Sequence, residues 1–446
     1  MKRSIFDELL AWKNKSNRYP LILQGARQVG KTYALKEFGK QYFEKSHYVN
    51  FEDELGAHDI FKENLSPCEI IDKLSFHLQA QINIKCDLVI FDEIQACPQA
   101  ITSLKYFSEK MPELHLVSSG SLLGISLGES SFPVGKVDFL NMYPMSFEEF
   151  LEAVGELQLK KSLESLNKEK QIPDIFHKKL WNKLKEYFVT GGLPSVIEVY
   201  RNFEDKFEAF QKARNEQDRI LGTYMADIAK HSGKQNSMHI ERVFRSIPQQ
   251  LSSGQDGNAA KFKFKDIIVG KNRYADLVDL IDWLLATRLV IKVPFVNNVE
   301  HPLTVYVDEN QFRLFIFDIG ILGALSNLAP SKIMEYDYGT YKGFFAENFI
   351  CQEFVFADKR ADRVYTWKSK SGSEIEFLRD HHGDILPIEV KSGFNTRSKS
   401  LQFFAEKHGS SYRTLMSANN LHIDLKNQVH RYPLYLASRF PLDLNI

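Results

Sequence analysis

The segment from Gly25 to Thr32 constrains the fold of this chain more than any other feature of the sequence. It reads GARQVGKT and fits the pattern G-x-x-x-x-G-K-[ST]. The apolar run YPLILQ precedes it at residues 19–24, and residues 32–43 have the pattern of a helix. Glycines at such a strand-to-helix turn let backbone N–H groups point at phosphate oxygens, and the helix N-terminus adds positive potential there. A chance glycine-rich turn, the alternative, would not explain both flanking elements.

Strand and helix patterns alternate through about the first 150 residues. Short apolar runs at residues 47–51, 87–91 and 114–118 are typical of strands, and residues 67–82 of a helix. Strands that alternate with helices predict a parallel sheet covered on both faces. We therefore predict an α/β fold with a P-loop NTPase domain over residues 1–150.

The turn also predicts which residues hold a nucleotide. Lys31 is expected to reach the β- and γ-phosphates of ATP, and the Thr32 hydroxyl to ligate magnesium. Lys31 is thereby a catalytic as well as a binding residue. The predicted nucleotide-binding residues are Gly25, Ala26, Arg27, Gln28, Val29, Gly30, Lys31, Thr32 and Tyr33.

Two acidic residues, Asp92 and Glu93, end the apolar strand DLVIF. This Walker B pattern predicts that Asp92 holds the magnesium ion and that Glu93 orients and polarises the attacking water. The Asp-Glu pair favours hydrolysis over a small-molecule kinase, which needs a separate acceptor site. The alternative is a strand followed by an ordinary acidic turn.

Three serines follow the next apolar strand, at Ser118, Ser119 and Ser121. A polar group at this position can sense the γ-phosphate or the attacking water, and we assign Ser119 to that role. A serine-rich turn without a catalytic role is the alternative, and both interpretations stay open.

The middle of the chain, residues 151–310, has a different character. Residues 151–190 are rich in Lys and Glu and read as solvated helices with a break at Pro173. Residues 203–300 read as helices followed by a β-hairpin, because residues 261–265 (KFKFK) alternate with period two. Helices with a small hairpin predict a helical region and a winged-helix-like domain.

The alternating segment carries a cluster of positive charge. The lysines of the KFKFK segment would share one strand face and could track a phosphate backbone, which makes DNA a candidate partner. An edge strand protected by lysines is the alternative. The basic residues concerned are Lys261, Lys263, Lys265, Lys271 and Arg273.

An ordered set of motifs resembles bacterial and archaeal AAA-type P-loop ATPases whose C-terminal half is a domain of unknown function. Many relatives have Gly-Arg where this chain has Gly135-Lys136, so a nucleotide-sensing role for Lys136 stays open. The matching segments are LILQGARQVGKT, LVIFDEIQACPQA, SSGSLLG, FPVGKVDFLNMYPMSFEEF, GGLPSVIEVY, FRLFIFDIGIL, GFFAENFI and ILPIEVKS.

A second α/β pattern occupies residues 311–446, and its acidic residues resemble the PD-(D/E)xK nuclease core. The resemblance implies that fold and a second metal site built from Glu376 and Glu389, with Glu347 and Lys391 nearby. Glu389 and Lys391 share a strand face because side chains alternate with period two. Relatives usually have Asp where this chain has Glu376, so two alternatives stay open. One is an inactive nuclease fold kept as a binding platform, and the other is a simple Glu389–Lys391 ion pair.

Composition narrows the class of protein. Lys and Arg total 57, as do Asp and Glu, so a polycation that coats nucleic acid is excluded. The four cysteines form no C-x-x-C pair, and no apolar run is long enough to span a membrane, so we expect a cytoplasmic protein without a membrane partner. The sequence predicts a Mg-ATP-hydrolysing ATPase that acts on DNA in repair, recombination or defence. The alternative is a nucleotide-dependent switch that binds protein partners or further copies of itself and carries an inactive nuclease-like domain.

Overall fold

The computed structural model describes residues 1–121, 132–166, 172–252, 261–339, 341–394, 398–410, 412–424 and 426–442. The chain divides into two compact units. The N-terminal unit comprises Lys2–Tyr143 and Ala286–Arg288. The C-terminal unit comprises Pro144–Leu285 and Leu289–Ile446, together with Met1.

The N-terminal unit alternates strands and helices, as the sequence predicts. Its strands are β1 (Leu21–Gln24), β2 (Ser46–Asn50), β3 (Leu88–Asp92), β4 (His115–Gly120) and β5 (Asp138–Asn141). Its α-helices in the described residues are α1 (Ile5–Lys13), α2 (Lys31–Tyr42), α3 (Pro67–His77) and α4 (Pro98–Lys110). Short 3₁₀ helices cover Leu55–Phe61 and Ile94–Ala96.

The five strands form one parallel sheet in the order β2-β3-β4-β1-β5. All five residues of β3 are buried, which is why this strand is almost uniformly apolar in sequence. A core of Val, Ile, Leu and Phe side chains, including Val49, Phe91 and Leu104, packs against the sheet. The predicted parallel α/β domain is confirmed. Because parallel strands end at the same edge, the residues that follow β1, β3 and β4 converge there.

The C-terminal unit begins with helices. They are α5 (Phe147–Ala153), α6 (Leu157–Glu164), α7 (Asp174–Thr190), α8 (Pro194–Arg201), α9 (Lys206–Ser232), α10 (Lys234–Ser252) and α11 (Tyr274–Ala286), whose last residue belongs to the N-terminal unit. Four more occur further along the chain, namely α12 (Ile319–Leu325), α13 (Pro330–Glu335), α14 (Tyr341–Asp358) and α15 (Lys399–His408). As predicted, α7 starts directly after Pro173.

A seven-stranded mixed sheet organises the rest of this unit, in the order β12-β11-β10-β9-β8-β6-β7. The strands are β6 (Val290–Val296), β7 (Val307–Ile316), β8 (Val364–Lys368), β9 (Glu374–His381), β10 (Asp384–Val390), β11 (Arg413–Ser417) and β12 (Val429–Pro433). Strands β10, β11 and β12 are parallel, whereas β9 is antiparallel to both of its neighbours. Trp367 and Phe404 lie in a buried cluster on this sheet.

The predicted hairpin around residues 261–265 is wrong. Residues 261–264 form no strand, and the Phe262 N–H donates a single backbone bond to the Phe312 carbonyl, 2.8 Å away. Phe262 stacks on Phe312 with ring centroids 5.8 Å apart, so burial of the aromatic rings produces the alternation without a ladder of hydrogen bonds. The hairpin that follows α9, α10 and α11 is β6–β7, which is antiparallel.

The β6–β7 hairpin bears on how the chain is divided. Strand β6 also pairs in parallel with β8, so the hairpin belongs to the seven-stranded sheet. A boundary at residue 310 would fall inside β7. The three-part division and the winged-helix assignment stay predictions.

None of the helices in the described ranges is long and apolar enough to cross a membrane.

Candidate active site

The turn between β1 and α2 has the backbone that a phosphate cradle needs. A Cβ on Gly25 would collide with the Met142 carbonyl oxygen, so a side chain is excluded there. Gly30 lies in the left-handed region with φ of 96°, and Gln28 does so as well with φ of 69°. Gly30 is the N-cap of α2, so the turn ends on a helix N-terminus.

Lys31 is buried at the start of α2 and its ammonium group folds back onto the turn. Its Nζ donates to the carbonyl oxygens of Gly25 and Ala26, both 2.9 Å away. Burial lowers the pKa of Lys31 to about 8, although the nearby Glu93 and Asp92 carboxylates oppose this shift. The ammonium group is thus held by neutral carbonyls at the place where phosphate oxygens would bind it more strongly.

Asp92 ends β3 and is 2% exposed. Its Oδ2 accepts hydrogen bonds from the Thr32 hydroxyl and the Tyr48 hydroxyl, each at 2.8 Å. Its Oδ1 accepts from the Ser119 hydroxyl and from the Glu93 N–H. Within the described ranges, this buried carboxylate therefore accepts hydrogen bonds from uncharged donors.

The spacing of the Thr32 and Asp92 oxygens is compatible with two neighbouring ligands of a magnesium ion. Neighbouring ligands of an octahedral ion with bonds of about 2.1 Å lie about 3 Å apart, and Thr32 Oγ1 lies 2.8 Å from Asp92 Oδ2. Magnesium bound together with phosphates needs one or two carboxylates from the protein. Thr32 and Asp92 could supply one hydroxyl and one carboxylate to such an ion.

Glu93 adopts a conformation that is unusual for a residue with a side chain. Its φ is 48°, in the left-handed region. The Gln95 amide donates to Glu93 Oε2 at 2.6 Å, and the Ser121 hydroxyl lies 3.4 Å from the same oxygen. Strained residues of this kind occur preferentially at functional sites.

Ser118 and Ser119 lie at the end of β4 and Ser121 directly follows it, and the three side chains have different surroundings. Ser119 bonds to Asp92, and Ser121 lies beside Glu93, so both reach the acidic pair. The Ser118 hydroxyl is buried and has no hydrogen-bond partner in the described part of the chain. Ser119 is thus close enough to the candidate metal ligand to act as a sensor.

The other predicted residues of this region lie at different depths. Ala26 and Val29 are buried, whereas the Tyr33 side chain is 53% exposed. Arg27 forms an ion pair with Glu52 at 3.4 Å. Lys136 forms an ion pair at 3.3 Å with Glu109, whose partly exposed carboxylate lies on α4.

Sequence reasoning missed Tyr48 and Arg288. Burial first, and then the hydrogen bond to Asp92, raise the pKa of Tyr48 well above its usual range, so its hydroxyl remains a donor. Arg288 Nη2 donates to Gln24 Oε1 at 2.7 Å, although the two residues are 264 positions apart. The sequence contained only a weak indication of Tyr48, which lies on β2, the strand before β3 in the chain, and β3 ends in Asp92. It contained no indication of Arg288.

The C-terminal unit brings together the acidic residues predicted there. Lys391 Nζ lies 2.7 Å from Glu389 Oε1, and Ser398 also donates to Glu389. Arg313, a buried residue of β7, forms an ion pair with Glu347. The Glu389–Lys391 pair expected under the alternative interpretation is therefore present.

Glu376 is near enough to both ion pairs to feel the charges of Glu347 and Glu389. Its Oε2 accepts from the Val390 N–H at 3.3 Å. Burial raises its pKa to about 8, with further contributions from the negative charges of Glu347 and Glu389. Within the described ranges, no group of three or more His, Cys, Asp or Glu residues is arranged to hold a metal ion.

The lysines of the segment 261–265 point outward. Lys261, Lys263 and Lys265 are exposed, and Lys261 bonds to the Gln311 side chain. The Lys263 backbone is held by Gln250, which accepts from its N–H at 3.1 Å and donates to its carbonyl at 2.9 Å. The alternation in sequence therefore predicted the exposure of the lysines correctly, although the strand is missing.

Three family models match consecutive parts of the chain. Residues 182–332 match a domain of unknown function, DUF8612, and residues 342–436 match another, DUF4143. The N-terminal match, over residues 17–151, is described as "AAA domain". No match was found among the curated proteins.

Solved structures show distant similarity. A RuvB variant from Thermotoga maritima is 13% identical with a TM-score of 0.31, and the match covers 68% of this chain and 90% of RuvB. PCH-2 from C. elegans is 12% identical with a TM-score of 0.27, at 48% and 68% coverage. Drosophila ORC bound to DNA is also 12% identical with a TM-score of 0.27, at 75% and 85% coverage.

The family match and the geometry agree on the N-terminal part of the chain. The parallel sheet, the glycine turn after β1 and the acidic end of β3 all lie within the matched residues. Residues 17–151 form an AAA-type P-loop ATPase domain.

Proposed function

We propose that the N-terminal unit binds Mg-ATP and hydrolyses it. The observation that best supports this proposal is the cluster of hydroxyls around Asp92, next to the turn that holds Lys31. A buried carboxylate bonded only by uncharged donors keeps its negative charge available for a cation. Lys31 would leave the Gly25 and Ala26 carbonyls for the phosphates, which are stronger acceptors because they are charged.

Each residue then has a defined task. Thr32 and Asp92 would hold the magnesium ion, which neutralises charge on the phosphates when bound. Glu93, fixed by Gln95, would orient the water and accept its proton. Ser119, through its bond to Asp92, would report whether the γ-phosphate is present. The residues Gly25 to Thr32 would bind the phosphates, with Tyr33 flanking them.

Replacing Glu93 by Gln tests this proposal. The variant keeps the size and the polar contacts of the side chain but loses the base, so we expect ATP binding within about threefold of the wild type and turnover lower by about 10²–10⁴. Lys31→Ala should weaken binding itself. Glu406→Gln, on the exposed surface of α15, is the matched control. Normal turnover in Glu93→Gln would remove Glu93 from the mechanism.

DNA-directed work is the leading proposal for what the hydrolysis serves. It rests on the exposed lysines 261, 263 and 265, which are available to a phosphate backbone. Replacing all three by Ala should reduce the salt slope of DNA binding by up to about three units, near one per phosphate contact. An unchanged slope would leave these lysines a solubilising role.

A second candidate is a nucleotide-dependent switch with an inactive nuclease-like domain. The ion pairs Arg313–Glu347 and Glu389–Lys391 support it, because they neutralise the acidic residues without a metal. Such a switch would cut no DNA with Mg²⁺ or Mn²⁺. Metal-dependent cleavage that is lost in Glu389→Gln would instead favour a nuclease.

A further inference from the structure

Arg288 lies at an unusual place in the chain. It belongs to the N-terminal unit, although α11 and β6, on either side of it in sequence, lie almost wholly in the other unit. Its φ is 61°, a left-handed conformation that an arginine rarely adopts. A backbone held in this conformation needs compensation from its surroundings.

The contact that Arg288 makes is with the nucleotide turn. Its Nη2 donates to Gln24 Oε1 at 2.7 Å, and Gln24 is the last residue of β1, directly before Gly25. The carbonyl of Gly25, the next residue, accepts from the Lys31 ammonium group at 2.9 Å, so Arg288 and Lys31 bind consecutive residues of the turn. Arg288 is therefore close to the ammonium group that would bind the β- and γ-phosphates.

The Arg288 guanidinium group has more hydrogen-bond donors than the turn uses, so it could also bind an anion. A guanidinium group has five N–H donors, and Gln24 is its one hydrogen-bond partner among the described residues. Phosphate oxygens would accept the remaining N–H groups in charge-assisted hydrogen bonds.

We infer that Arg288 contacts the β–γ end of the bound triphosphate and makes the segment between α11 and β6 sensitive to the nucleotide. This inference rests on the proposed ATP binding. The backbone of Arg288 continues into α11 on one side and into β6 on the other, so a contact with the phosphates restrains both connections. Loss of the γ-phosphate releases that restraint.

Nucleotide affinity of the full chain tests the contact. We would measure Mg-ATP and Mg-ADP binding by calorimetry in wild type, Arg288→Ala and Gln24→Leu. Arg288→Ala should weaken ATP binding by about 10- to 100-fold, as expected for lost charge-assisted bonds, and ADP binding by less than about threefold. Gln24→Leu keeps the guanidinium, so its ATP affinity should stay within about threefold of the wild type. Arg245→Ala, on the exposed face of α10, is the control.

Several results would overturn the inference. Unchanged ATP affinity in Arg288→Ala would do so, as would equal weakening of ATP and ADP. If Gln24→Leu weakened ATP binding as much as Arg288→Ala, Arg288 would act by supporting the turn. Failure of the proposed function looks different, because wild type and Lys31→Ala would then both bind no nucleotide.

Hydrogen exchange tests the sensitivity of the connecting segment. Residues 286–292 should exchange more slowly in wild type with a non-hydrolysable ATP analogue than with ADP, and Arg288→Ala should lose that difference at saturating nucleotide. Equal protection with both nucleotides in wild type would refute the coupling.

Discussion

Both units bring carboxylates together beside a strand end, yet they satisfy them in opposite ways. In the N-terminal unit, Asp92 accepts hydrogen bonds from hydroxyls and one backbone N–H. In the C-terminal unit, Glu347 is paired with Arg313 and Glu389 with Lys391. Uncharged donors fix the position of a carboxylate without cancelling its charge, whereas a built-in cation cancels it. The first arrangement leaves room for a metal ion, and the second already contains its positive charge.

The largest effect should follow from removing the built-in cation. Arg313→Met leaves Glu347 buried beside Glu376 without a partner, so we expect a loss of about 3–5 kcal/mol in the free energy of unfolding, measured by urea denaturation. Removing both charges, in Arg313→Met with Glu347→Gln, should recover most of that loss. A single variant as stable as the wild type would show that the pair does not neutralise this cluster.

Adding Mg²⁺ tests whether a metal ion can replace the cation that Arg313 supplies to the C-terminal cluster. Millimolar Mg²⁺ should stabilise Arg313→Met, because a cation can then replace the guanidinium, and should leave the stability of the C-terminal unit unchanged in the wild type. Equal stabilisation of both proteins would mean that the cluster binds metal beside its own cations.

Glu353 is a buried carboxyl group without a cationic partner in the described part of the chain. It accepts from the Phe147 N–H at 3.1 Å, and burial raises its pKa to about 8. An unfolded glutamate titrates near 4.3, so the folded state holds the proton more tightly, and stability should fall as pH rises from about 4.5 to about 8. Glu353→Gln cannot ionise, so it should flatten this fall and be more stable than the wild type at pH 8, by on the order of 3 kcal/mol. Parallel curves for the two proteins would contradict the assignment.

The smallest effect concerns one of the uncharged donors. Tyr48→Phe removes one of the hydroxyls that orient Asp92, which is worth about 1 kcal/mol. The Mg²⁺ concentration for half-maximal ATP hydrolysis should rise by about fivefold, with little change in maximal rate. Tyr106→Phe, on α4, serves as the control. A change confined to the maximal rate would place Tyr48 in the chemistry instead.

The sequence predicted local features well and long-range ones poorly. The glycine turn, the acidic end of β3 and the parallel sheet depend on short segments whose patterns are visible in isolation. Arg288 and Gln24 are far apart in the chain, and no periodicity connects them. The segment 261–265 shows that a local pattern can also mislead, because ring stacking on Phe312 produces the same alternation in sequence as a strand. The Arg313–Glu347 pair could not be predicted without the order of the strands, because Arg313 lies on β7 at the edge of the seven-stranded sheet.

Manganese binding to the full chain, measured by electron paramagnetic resonance with and without ATP, tests the contrast between the two carboxylate sites most directly. The expected result is one tightly bound Mn²⁺ per chain in the presence of ATP, lost in Asp92→Asn, and none at micromolar metal without nucleotide. Tight Mn²⁺ binding without ATP that survives Asp92→Asn and disappears in Glu389→Gln would contradict it, because the acidic residues of the C-terminal unit would then be the open site.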